Sequence, residues 1–177
     1  MAKELVIQRT VNFTGKRKIG LDSNFIINIL DNEIQFAPLF LKFSEYSVVY
    51  LHEESLREIP DVLVRDYKWN LGEAKKKLGD FIKLNNIQVV KKDKNNPLLS
   101  VLYNICKQKE IAVHPPDSWI IADFAKEGIN KVYSGDNVFL QAARVLHLDT
   151  EKTPTLDRRI IDQLRELKGF RKYRKGR

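Results

Sequence analysis

The amino-acid sequence predicts an α/β domain built around a mostly parallel sheet, and two observations carry that prediction. Short β-branched apolar runs alternate along the chain with longer stretches whose apolar residues recur at helical spacing. Strands that alternate with helices in this way pair in parallel through right-handed crossovers. The second observation is size: 177 residues, 43% of them apolar, with only 8 Gly and 6 Pro, suffice for one compact domain with appendages at its ends.

Taken in order, Leu5 to Gln8 reads as a short strand followed by a basic, Gly-containing turn from Thr14 to Lys18, so that residues 1–17 form an N-terminal extension. Ile19 to Leu21 is an apolar run ending at Asp22, after which Phe25, Ile26, Ile29 and Leu30 fall on one helical face. Glu33 to Ser44 repeats that pattern with Phe36, Leu39, Phe40 and Phe43 and leads into a second strand, Ser47 to Leu51. The longest helical region runs from Glu53 to about Asn86, with a break or bend expected near Pro60, because proline lacks an amide donor and clashes with the preceding turn. Ile87 to Val90 is a third strand, Lys91 to Pro97 a loop, and Leu98 to Lys109 a helix. Ser118 to Lys126 is a further helix, closed by Gly128 as its C-cap. Lys131 to Ser134 is a fourth strand, and Asp136 opens a helix that runs to His147. The divisions are then an extension to residue 17, a domain from 18 to 150, a C-terminal helix within 151–167 (Leu156 to Leu167) and a tail from 168 to 177.

Composition excludes several functions. Cys106 is the only cysteine, so an intrachain disulfide, a cysteine-based zinc site and dithiol redox chemistry are all excluded. No apolar run approaches the roughly 20 residues of a spanning helix, and the N-terminus is charged where a signal peptide is apolar, so a cytoplasmic protein with no membrane partner is expected. The net charge of +8 favours a polyanionic partner over a neutral metabolite. Lys168, Arg171, Lys172, Arg174, Lys175 and Arg177, with no acid among them, place +6 of that charge in the last ten residues. Phe170 and Tyr173 interleave these cations, a pattern suited to single-stranded nucleic acid; a solubilising terminus is the alternative.

In parallel sheets the functional crevice lies beyond the carboxyl ends of the strands, and the sequence sends acids there. Asp22 closes the first strand and Asp136 follows the fourth, each opening a helix, while Asp117 begins the helix of PDSWIIADFA behind Pro115 and Pro116. Each could be an N-cap, and a carboxylate so held can also bind a hard cation. Glu54 and Glu58 share one face of the helix after the second strand. His52, His114 and His147 have no metal-ligand spacing and read as structural or surface residues, and neither a Gly-rich phosphate loop nor a serine elbow is present.

LDSNFIINIL, an acid in the helix after the second strand, PDSWIIADFA and VYSGDNVFLQAA resemble, in order and type, the acidic motifs of the PIN-domain nucleases over about residues 18 to 150. The resemblance implies a three-layer PIN-like domain with helices flanking a parallel sheet, Mg²⁺ or Mn²⁺ bound by clustered carboxylates, and hydrolysis of RNA. Carried over by position, it implies a catalytic set of Asp22, Glu58, Asp117 and Asp136, with Asp22, Asp117 and Asp136 as the metal ligands. Glu58 is preferred to Glu54 because the acid followed by an apolar residue in LREI matches better. Ser23, Asn24, Ser134 and Asn137 would support this set. Many members carry a further acid two residues after the last of these; that place is Val138, with only the uncharged Asn137 beside it, and a second metal position is therefore in question.

The chemistry agrees with the inventory, since clustered carboxylates repel RNA until metal neutralises them and basic residues such as those of the tail must hold the strand. A phosphatase of the haloacid-dehalogenase type would need an acid where Asn24 stands. A catalytically weak PIN-like RNA-binding or assembly factor is the alternative that Val138 and the tail favour. Among active readings the appendages lean toward a stand-alone RNA-processing endonuclease rather than a toxin held by an antitoxin. The partners expected are RNA and either an antitoxin or a ribosomal or RNA-processing assembly, with homo-oligomerisation left open.

Overall fold

The structure is a computed structural model, and it describes residues 16–31, 40–41 and 44–153. Its centre is β1 (Arg17–Leu21), which pairs in parallel with β2 (Ser47–His52) on one side and β4 (Lys131–Ser134) on the other. Outside these lie β3 (Gln88–Val90) against β2 and β5 (Asp149–Lys152) against β4, giving five parallel strands in the order β3-β2-β1-β4-β5. The order reverses between β1 and β4, so the strand ends carrying Asp22 and Ser134 flank the switch point where such sheets open a crevice.

Alternation of side chains along each strand supplies both faces of the sheet with apolar groups, as a sheet covered on both sides requires. On one face Ile19, Leu21, Val49 and Leu51 pack against α1 (Ser23–Asp31), α2 (Glu53–Tyr67) and α3 (Leu71–Leu84) through Phe25, Ile59, Leu63 and Leu78. On the other, Val90 and Val132 pack against α4 (Leu98–Gln108), α5 (Asp117–Lys126) and α6 (Asn137–Val145) through Leu102, Ile121, Phe124 and Phe139. This is the expected α/β, three-layer arrangement. The close fit of α5 to β1 depends on Gly20: a Cβ there would stand 2.5 Å from the Phe124 ring, so only glycine lets the helix that begins with Asp117 lie this near the strand that ends at Asp22.

One expectation is corrected and one strand is added. Pro60 does not break the helical region; it lies buried inside α2, where packing against the core offsets the missing amide bond. The break comes at Lys68 to Asn70 instead. Lys68 adopts φ 60° and donates its amide to Leu63 O, and the Asn70 side chain caps α3 by accepting from Gly72 N at 2.8 Å and Glu73 N at 3.4 Å. The asparagine with Glu73 three residues on is a helix-start signal that the proline obscured. The added strand is β5, whose sequence DTEK carries no apolar alternation because it is an exposed edge strand held by backbone pairing to β4.

Elsewhere the boundaries move by one or two residues, as for β1, which starts at Arg17, and α6, which ends at Val145. Gly128 has φ 69° and follows α5 as expected, with Ile129 N donating to Phe124 O to close the helix. The expected strand Leu5 to Gln8, most of the helix Glu33 to Ser44, the helix Leu156 to Leu167 and the basic tail lie outside the described residues. Among the described residues no helix is long and apolar enough to cross a membrane.

Candidate active site

The deepest acid is Asp22, 5% exposed, at the carboxyl end of β1. Its backbone amide donates to Tyr133 O at 3.0 Å, tying the residue to β4. One carboxylate oxygen accepts from Ser23 N at 2.7 Å and Ser23 Oγ at 3.3 Å; the other accepts from Ser134 Oγ at 2.6 Å and, more weakly, from Asn24 Nδ2 at 3.4 Å. Burial pushes its pKa up, the Ser134 and Ser23 hydrogen bonds oppose that, and the negative charge of Glu58 adds to it.

Ser134 also accepts the Asp136 amide at 3.0 Å, so one hydroxyl links the backbone of one acid to the carboxylate of another. Asp136 is exposed and is a true N-cap of α6, accepting through one oxygen from Val138 N at 2.6 Å and Phe139 N at 3.3 Å. Asn137 and Val138 follow in the first turn of α6, both exposed. Asp117 is not an N-cap, contrary to one of its expected roles. It is the first residue of α5, behind Pro116, and half-buried. Its pKa is pushed up to about 7, first by burial and then by the charges of Asp22, Asp136 and Glu58.

Glu58 and Glu54 divide as their positions on α2 require. Glu58 is exposed, and its charge acts on both Asp22 and Asp117. Glu54 is engaged elsewhere, with Arg57 at 3.3 Å and Lys92 at 3.4 Å. The charges of Asp22, Asp136 and Glu58 thus act on Asp117, and that of Glu58 acts on Asp22; Asp22 is buried, Asp117 half-buried, and Glu58 and Asp136 are exposed. Lys168, Arg171, Lys172, Arg174, Lys175 and Arg177 lie outside the described residues.

A buried polar network at the end of β2 has no motif in the sequence. His52, fully buried at the end of β2, accepts Glu54 N on Nδ1 at 3.1 Å, which leaves Nε2 to donate to Asp123 at 3.0 Å. Burial holds the imidazole below its ordinary pKa against the pull of Asp123. Asp123, 2% exposed, also accepts from Asn96 Nδ2 at 2.7 Å and Asp93 N at 3.1 Å. The only available signal was an acid inside the apolar run IIADFA, two turns along the helix that Asp117 begins. Cys106 is buried and its thiol is pushed up in pKa by that burial, which suits packing and not nucleophilic chemistry.

The donor set suits a hard cation: carboxylate oxygens, two of them on residues withdrawn from water, whose mutual repulsion a divalent charge would relieve. Among the described residues, no three His, Cys, Asp or Glu side chains stand close enough to hold a metal ion as they are.

The family model for the PIN domain matches residues 19–145. No curated protein matches the chain. Several solved structures share its fold. VapBC2 from Rickettsia felis, bound to a DNA fragment from its promoter, superposes with a TM-score of 0.64 at 12% identity, covering 77% of this chain and 99% of that one. DNA-bound VapBC from Salmonella typhimurium has a TM-score of 0.59 at 14% identity, covering 77% and 98%. Mycobacterium tuberculosis VapC20, a toxin that cleaves the sarcin-ricin loop, has a TM-score of 0.53 at 19% identity, covering 70% and 94%.

Proposed function

The chain belongs to the PIN-domain family, whose members are generally nucleases, and from that premise we propose that it is a metal-dependent endoribonuclease that hydrolyses RNA phosphodiester bonds at the Asp22, Glu58, Asp117 and Asp136 cleft. The observation that carries the reading is the gathering of four acids from four separate elements: burial first, and then the charges of Asp22, Asp136 and Glu58, hold Asp117 near a pKa of about 7. A purely structural N-cap has no need of such neighbours.

Asp22, Asp117 and Asp136 would hold Mg²⁺ or Mn²⁺, which when bound lowers the pKa of water, orients it and stabilises the leaving oxygen. The protein's own part is positioning. Ser134 and Ser23 oppose the rise in pKa that burial imposes on Asp22 and fix both its oxygens, and the Asp136 amide locks the Ser134 hydroxyl toward Asp22. Asp136 spends one oxygen on the cap of α6 and keeps the other for a ligand. Glu58 adds a rim carboxylate that can accept a hydrogen bond from an attacking water. The tail from Lys168 to Arg177 would add affinity through phosphates without choosing sequence.

Purified full-length protein should cut labelled RNA with Mg²⁺ or Mn²⁺ and stop on chelation; cleavage that persists in excess EDTA would overturn the metal dependence. Glu58→Gln should slow cutting about 10- to 100-fold, whereas Glu54→Gln keeps most of the activity. A greater loss in the second variant would exchange the two assignments.

A second reading, a toxin held by an antitoxin, is supported by the similar structures being VapBC complexes and a VapC toxin. A small reading frame immediately upstream whose product co-purifies with the chain and blocks cleavage would decide for the toxin over a stand-alone RNA-processing enzyme. Both readings use the same cleft.

A further inference from the structure

The loop from Lys91 to Pro97 leaves β3 at the carboxyl edge of the sheet, the edge from which Asp22 also rises, because His52 of β2 pairs with Val90 and Leu51 with Leu21 of β1. It carries Lys91, Lys92 and Lys94 against one acid, Asp93, and that acid is engaged by Lys126 of α5. The loop is held from below. Lys92 N donates to Glu53 Oε1 at 2.8 Å, and Asp93 N and Asn96 Nδ2 both donate to the buried Asp123. Asn96 in turn accepts from Leu98 N at 3.0 Å and anchors the start of α4.

The Lys92 ammonium is fixed as well, over the Trp119 ring at 2.9 Å from its centroid and 3.4 Å from Glu54 Oε1, with its side chain 15% exposed. Trp119 stands two residues after Asp117, and Glu54 lies one helical turn before Glu58. The Lys92 ammonium thus lies against the helix that Asp117 begins and beside the helix that carries Glu58. Lys91 and Lys94 beside them are exposed.

A basic loop held by hydrogen bonds at the same sheet edge as a group of carboxylates answers a problem that those carboxylates create. Four acids repel a polyanion, and cations that already hold their positions lose little entropy when they bind phosphate. A buried carboxylate is costly unless fully hydrogen-bonded, and here Asp123 spends two of its three hydrogen bonds on this loop. Resting on the nuclease reading above, the geometry points to the Lys91–Lys94 loop, with Lys92 seated on Trp119, as the lip that grips the backbone of a single-stranded RNA entering the cleft. The basic tail would add affinity, and this loop sets where the strand lies.

The test uses the full-length protein in EDTA, so that RNA is bound and not cut, with a fluorescein-labelled single-stranded 12-mer followed by anisotropy from low to moderate salt. The Lys91→Ala/Lys94→Ala double variant should lower the magnitude of the log–log salt slope by about 1.4, two contacts at about 0.7 each. The exposed pair Lys76→Ala/Lys83→Ala, on the helix that descends to the opposite edge of the sheet, removes equal charge and should leave the slope close to the parent's. In a Trp69→Phe background, emission from Trp119 should change saturably as RNA is added. With metal restored, the loop variant should raise KM and leave kcat nearly unchanged. An unchanged slope in the loop variant, an equal effect in the control pair, or an unresponsive Trp119 would overturn the lip while a parent that binds and cuts RNA keeps the nuclease reading. A parent that neither binds nor cuts RNA would overturn both.

Discussion

Asp117→Asn is expected to abolish RNA cleavage and, at the same time, to make the metal-free protein more stable at neutral and alkaline pH. The folded chain holds this carboxyl at a pKa of about 7 against an ordinary 3.8, through burial and then the charges of Asp22, Asp136 and Glu58. The folded state therefore binds the proton more tightly than the unfolded state. As pH rises from about 4 toward 7, the unfolded chain ionises first and stability falls, and above 7 the penalty is complete. Asparagine removes that slope.

Three pKa units taken whole would be about 4 kcal/mol, but the carboxyl is only half-buried and solvent screens its neighbours, so a gain of about 1–2 kcal/mol is the realistic scale. Thermal melts in EDTA between pH 4 and pH 8.5 should show parent and variant converging at the acid end and separating above neutrality. Mg²⁺ should stabilise the parent more than the variant, since it binds the folded carboxylates. A folded variant that cuts RNA at the parental rate would remove Asp117 from the site, and one with parental stability at pH 8 would show that the charge is not stored there.

Asp123→Ala should have the largest effect on stability. It leaves the His52 Nε2 proton, the Asn96 amide and the Asp93 backbone amide without their shared acceptor in a buried place, and each such group costs about 1–3 kcal/mol. Losses are not additive, so a total of about 3–5 kcal/mol is expected, read from urea denaturation. Asp123→Asn keeps the shape and one acceptor oxygen and should lose less. Equal stability for parent and alanine variant would show that the network is not formed.

The fold was legible where side-chain periodicity is dictated by burial on a sheet or helix. Ile19 to Leu21, Ser47 to Leu51 and Lys131 to Ser134 announced the three central strands because both faces of a covered sheet demand apolar groups. The edge strand β5 escaped because DTEK is held by backbone hydrogen bonds, which any residue type supplies. Pro60 misled because its local cost was visible and the core contacts that offset it were not.

The acids at strand ends and helix starts could likewise be read from the chain, since topology alone sends those places to one edge of a parallel sheet. Their differing states could not. Asp136 caps a helix, Asp117 caps nothing and is held near neutrality, and Asp22 is buried under two serines, although each opens a helix in the sequence. Burial and the distance between charges depend on residues far apart in the chain, as Ser134 is from Asp22. The sequence by itself determined the layers, the order of the acids and the basic balance, because these follow from local periodicity and composition. Only the tertiary structure decided that Glu54 is taken up by Arg57 and Lys92 while the Glu58 charge acts on Asp22 and Asp117, and that His52, Asp123 and Asn96 form one buried network under the Lys91–Pro97 loop, because those relations arise from packing across the sheet, to which local pattern is blind.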